Sequence, residues 1–193
     1  VADSTDNESI IEVVPKVLGQ YLLDNVQGLR EYYEEFPSAH ERIRTPSVSI
    51  IAATTDFRPM AAPYKLEQGN IVRSQSTVQY VVGFYDFSLQ VDLWTGSKEE
   101  RADIFDAMFN ALNPEITPMG LVLEMEEYFN QLCDYTYTGH NMGDSEERSQ
   151  RDEWRVTLTV LASCKAIRDK KQFIIEDIEL QSDISEQVLV TEE

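Results

Sequence analysis

Basic side chains are scarce in this chain. There are 16 Lys and Arg against 35 Asp and Glu, a formal charge of −19 over 193 residues. Such a surface is repelled by nucleic-acid phosphates and by anionic membranes. Nucleic-acid readout needs a basic patch, often with aromatic platforms. Here the basic residues are scattered, as Arg42 and Arg44, Arg148 and Arg151, Lys170 and Lys171. No sequence-specific nucleic-acid binding is expected. Composition leaves open whether the acidity only maintains solubility or faces DNA without holding it. Histidine is scarcer still, with only His40 and His140, both in polar surroundings. A zinc site takes three or four His, Cys or carboxylate ligands, so no metal site is expected. Two cysteines, Cys133 and Cys164, are too few for a disulfide framework. Each falls on an apolar strand pattern and reads as a buried reduced thiol, with a disulfide or a reactive thiol as the alternative. No apolar run reaches the ~18 residues of a membrane-crossing helix. The opening VADSTDNESI has neither a basic stretch nor an apolar core of the signal-peptide kind. These features lead us to expect folding in a cytoplasm, without a membrane partner.

Catalytic motifs are also missing. There is no Walker loop, G-x-G-x-x-G, G-x-S-x-G, H-E-x-x-H or EF-hand pattern. Glu124, Glu126 and Glu127, or Asp86 and Asp92, could imitate an acid–base pair. A catalytic carboxylate needs burial or a partner to shift its pKa, and sequence shows neither. We therefore expect no catalytic residues, no cofactor and no enzyme.

What is present is one long alternation. From Val81 to Leu93 the odd positions are Val81, Gly83, Tyr85, Phe87, Leu89, Val91 and Leu93, while the even ones include Asp86, Ser88, Gln90 and Asp92. That pattern predicts a strand with one face on a core, well beyond the usual ~5–6 residues. Trp94 closes it. Ser97 then stands three residues before Glu100, a capping box. Ile104, Phe105, Met108, Phe109 and Leu112 follow as a helical apolar stripe. The predicted core thus includes Tyr85, Phe87, Leu89, Val91, Leu93, Trp94, Phe105 and Phe109.

Before this unit, Asn7 or Ser9 can cap a helix carrying Ile10, Val13, Val14, Val17, Leu18 and Tyr21. Pro15 is tolerated there if the helix starts near Val14. LREYYEEF continues that helix or forms a second short one. SVSIIAA (47–53) is β-prone, FRPMAAPYKLEQGN reads as a loop, and IVRSQSTVQ is the outer end of the long strand or a separate short strand. After the helix, Pro114 and Pro118 stop continuation. Leu121 to Thr138 reads as one strand, with a short helix running into a strand at Cys133 as the alternative. Residues 139–152 read as a charged loop, and Trp154 to Ala166 as a second clear strand. RDKK reads as a turn, and KQFIIEDIEL as a last short strand. The ordering predicts a single domain of α+β class, with helices flanking a mostly antiparallel sheet that has a long central strand. Its core spans about 8–182, followed by an acidic tail, 183–193. The 139–152 loop and the tail cannot bury enough surface alone. We expect neighbours to order them, which makes Glu146, Glu147, Arg148, Arg151, Val188, Leu189 and Val190 candidate subunit-interface residues.

The run LQVDLWTGSKEERADIFDAMFNAL resembles the central strand–turn–helix of tail terminator and tail-completion (neck) proteins of long-tailed bacteriophages. The later pair DYTYTG and EWRVTLTVLA, and the leading helix IIEVVPKVLGQYLLDNV, are similar to that family too, so the likeness covers roughly residues 8–182. It implies a structural virion protein at the tail–neck junction, assembled in the host cytoplasm. Such proteins form a ring, usually a homohexamer, that caps the tail tube and stops its growth. The partners implied are the tail tube protein, a head-completion or neck protein, and the sheath in contractile tails; DNA passes through the channel. The alternative is another neck component, a head-completion or connector adaptor protein.

Overall fold

The computed structural model describes residues 9–37, 43–66, 71–72, 75–113, 120–126, 128, 131–142 and 153–173. The protein is α+β. Two helices, α1 (Ile10–Asn25) and α2 (Lys98–Leu112), accompany β1 (Glu31–Tyr33), β2 (Ser47–Lys65), β3 (Ile71–Val72), β4 (Gln75–Thr95), β5 (Leu121–Met125), β6 (Gln131–Asn141) and β7 (Trp154–Phe173). The strands make one mixed sheet in the order β1-β2-β4-β7-β6-β5, with β3 paired to β4. Among the described residues only β1, running parallel to β2, departs from antiparallel pairing.

The core lies on one face of this sheet. Phe87, Leu89, Val91 and Leu93 of β4 point into it, level with Val48 and Ile50 of β2 and with Val156, Leu158, Val160 and Ala162 of β7. α2 begins where its sequence signal predicts. Ser97 Oγ accepts from the Glu100 amide at 3.1 Å, and Glu100 Oε2 accepts from the Gly96 amide at 2.7 Å, a reciprocal cap of two unpaired donors. α2 buries Ile104, Met108 and Leu112. α1 buries Ile10, Val13, Val14, Leu18 and Leu22. It packs on β1 and β2 and also on β5, from the opposite end of the strand order, so the sheet curls around it. Tyr135 of β6 ties this closure by donating its hydroxyl to the Val14 carbonyl at 2.9 Å.

Several local expectations are corrected. α1 starts at Ile10, so Pro15 sits in its second turn rather than its first. Proline there removes one helical hydrogen bond. Burial of the Ile10–Leu22 stripe offsets that loss. LREYYEEF gives no helix; its middle is β1, paired with Ser47–Ser49. The FRPMAAPYK part of the expected loop belongs to β2, which continues to Lys65 because β4 extends back to Gln75 and supplies a partner. Pro59 and Pro63 are accommodated because this stretch is an edge, with a register shift between Pro59 and Tyr64. IVRSQSTVQ divides between β3 and the start of β4. Leu121–Thr138 is neither one strand nor a helix leading to a strand. It is a β5–β6 hairpin that reverses after Met125, where the Tyr128 amide donates to the Met125 carbonyl at 3.1 Å. RDKK is not a turn: β7 runs through it to Phe173. The expected last strand has its first three residues in β7. The expected charged loop has Gly139, His140 and Asn141 in β6, because they pair with Thr159, Leu158 and Thr157 of β7. Residues 143–152, 174–180 and the tail lie outside the described residues.

Candidate interaction surfaces

The second face of the sheet carries the even positions of β4. Asp86 sits opposite Asp56 of β2 and Ser163 of β7, and Ser163 sits opposite Asp134 of β6. Asp86 is held by the Arg58 guanidinium at 3.0 Å and by the Ser163 hydroxyl at 2.7 Å. Asp92, buried, accepts from the Thr157 hydroxyl and from Gln90 Nε2 at 2.8 Å. These two carboxylates are therefore partnered by arginine, hydroxyl and amide donors. A shallow depression of about 310 Å³ at Asp86 is lined by Thr54, Asp56, Asp134, Leu161 and Ser163, among others. Among the described residues, no three His, Cys, Asp or Glu side chains are grouped to hold a metal ion.

Trp94 is buried, but on this second face rather than beside Leu93. Its indole N–H donates to Ser49 Oγ at 3.1 Å, Phe36 packs edge-on at 5.5 Å, and the Arg155 guanidinium stacks 5.5 Å from its ring. Sequence reasoning missed Phe36 and Arg155, since neither belongs to a periodic pattern that includes Trp94. The predicted core is otherwise divided. Phe87, Leu89, Val91 and Leu93 are buried, Tyr85 and Phe105 are half-buried, and Phe109 is 42% exposed. Phe109 meets Tyr137 edge-on at 5.4 Å, Phe105 lies 4.7 Å from the His140 ring, and Tyr137 Oη is 2.6 Å from His140 Nδ1. Together they form an aromatic patch between α2 and the end of β6. His40 and the candidate interface residues Glu146, Glu147, Arg148, Arg151, Val188, Leu189 and Val190 lie outside the described residues.

Cys133 and Cys164 face each other across β6 and β7, both buried and reduced. The hydrogen bond between them, then burial, pushes the Cys164 thiol well above its ordinary pKa. A neutral thiol is a poor nucleophile.

Two further features concern the sheet's ends. Beyond the helices, β2, β4 and β7 continue together as a three-stranded ribbon. From Ala53 to Lys65, only Thr55 and Met60 are even partly covered. Phe57 lies 5.3 Å from Tyr85 there, yet remains 47% exposed. Where β1 ends, a groove of about 590 Å³ opens between α1 and the β2 edge. Ile50, Ile51, Ala52 and Pro15 give it an apolar floor, and Glu12, Glu34 and Glu35 stand with Lys16 around it. Tyr32 also lines it, and its hydroxyl is buried with no partner among the described residues. Burial, then the nearby Glu34 charge, raises the Tyr32 pKa strongly. Gly19 makes room for the ring: a Cβ there would stand 2.5 Å from Tyr32 Cε2.

No helix among the described residues is long and apolar enough to cross a membrane. No protein-family model matches the chain. No curated protein matches it either.

Proposed function

We propose that this protein is a structural component of a long-tailed bacteriophage virion, a tail terminator or tail-completion ring. The observation that carries the proposal is the unit of β4, its capped turn and α2, whose sequence resembles that family. An α+β body in which this strand lies between β2 and β7 is compatible with it. So is the second sheet face, where Asp86 is held by Arg58 and Ser163 and the buried Asp92 by Gln90 and Thr157. In this proposal six copies form a homohexameric ring. The ring caps the tail tube, stops its elongation and presents a joint to the head-completion protein, with the sheath as a further partner in a contractile tail. Its acidic surface repels the passing DNA.

The test is electron microscopy of the purified protein, alone and with growing tail tubes. The expected result is a ring alone and a cap at one end of tubes of uniform length. Sealing of filled heads without capping of tubes would move the assignment to a head-completion or connector adaptor protein. Activity on neither would remove both.

A further inference from the structure

We infer that the groove beside α1 is a docking slot for the ribbon of a second copy of this chain. Three observations converge on it. The first is the strand edge. β1 pairs with β2 only through Ser47–Ser49, so from Ile50 outward the β2 edge has no strand beside it among the described residues. An open edge presents unpaired backbone donors and acceptors. Its far part is blunted by Pro59, Pro63 and the register shift between Pro59 and Tyr64. The stretch Ile50–Arg58 has no proline, and its first residues form the groove floor. The second is Tyr32, which lines the groove and carries a buried hydroxyl with no partner among the described residues. Buried polar groups are rarely left so.

The third is charge, which selects the occupant. The described ribbon residues, 54–66, 71–72, 75–87 and 163–173, hold 6 basic and 3 acidic residues, a formal +3, and the rest of the chain holds −22. From Lys165 to Phe173, β7 carries four basic residues against Asp169. That stretch lies beyond the last β6 pairing at Cys164. Tyr128 Oη accepts from the Ile167 amide at 3.3 Å, and from Arg168 outward no strand lies beside this edge among the described residues. A basic, extended, open-edged segment matches an acidic groove at an open edge. The chain's own end, residues 174–193, carries seven acidic residues and no basic ones, so the groove's glutamates would repel it. Ribbon into groove is a head-to-tail contact, which closes into a ring when the rotation allows. The inference deepens the ring proposed above by naming its subunit contact.

Reversing charge on either side tests it. Glu34→Lys with Glu35→Lys alters the groove, and Lys165→Glu with Arg168→Glu alters the ribbon. Sedimentation velocity reads the association. Each variant alone should dissociate at concentrations where the native protein associates, a weakening of about tenfold or more. An equimolar mixture of the two should associate again, because each reversed surface meets its opposite. Circular dichroism checks folding. If a lysine variant unfolds, Glu34→Gln with Glu35→Gln should still weaken association by a smaller factor. Three outcomes would overturn the inference: a native protein that stays monomeric, either variant associating like the native one, or folded variants that stay apart when mixed. Capping of tubes is scored separately. A ring indifferent to these charges sinks the docking slot alone, and charge-dependent association without capping sinks the tail function alone.

Discussion

Phe87 and Phe109 are both aromatic members of predicted apolar stripes, yet one is 2% and the other 42% exposed. Their truncations should separate accordingly. Phe87→Ala empties a packed site and should cost about 3–5 kcal/mol, whereas Phe109→Ala should cost about 1 kcal/mol. Urea unfolding checks both, and equal midpoints would refute this placement of the core. The thiols belong to the same scale. Cys133 and Cys164 are buried and face each other, with the Cys164 thiol held neutral. They should resist alkylation at pH 8 in the folded protein and react fully once it unfolds. Rapid labelling of the native state would contradict the register that pairs them.

At the scale of elements, α2 was legible because its signals are local. The capping box, the acidic first turn and the apolar spacing all lie within one stretch of chain. Ser97→Ala should therefore cost about 1 kcal/mol, readable as a lower thermal midpoint. β2 was not legible beyond Ala53. Its outer half has prolines and little alternation, and it is extended because β4 hydrogen-bonds to it. β1 likewise exists through pairing with Ser47–Ser49, against the helical look of LREYYEEF. The ribbon also depends on Gly83. A Cβ there would stand 2.5 Å from the Arg58 carbonyl oxygen and 2.7 Å from the Phe57 ring. Gly83→Ala should loosen β2 from β4 around Arg58. Amide hydrogen exchange at Phe57–Arg58 should accelerate, while Val48 and Ile50 keep their protection. Unchanged exchange in the variant would show that the strands do not approach so closely.

For the whole molecule, the buried acids set an alkaline limit. Burial chiefly raises the pKa of Tyr32, Tyr128 and Tyr135, and the Cys133 hydrogen bond chiefly raises that of Cys164. Above about pH 9–10 the unfolded chain ionises these groups while the folded one keeps its protons. The native state then binds more protons than the unfolded state, so stability falls as pH rises. Below that range their contribution is fully present. Unfolding free energy should be flat in this respect from pH 7 to 8 and decline from about pH 9 upward. A stability that rises through pH 10 would reverse the sign.

The sequence by itself determined the parts whose causes are local: the β4 core face, the capped α2, the apolar stripe of α1, and an acidity that opposes DNA and anionic membranes. Tertiary structure decided the rest, because strand pairing is a contact between distant residues. It extended β2 and β7 into a ribbon, split Leu121–Met125 from Gln131–Asn141, and put Trp94 under Phe36 and Arg155 on the second face. It also placed Tyr32 beside Gly19 at the mouth of an open strand edge. No periodicity encodes that juxtaposition, since it arises only where α1, β1 and β2 meet.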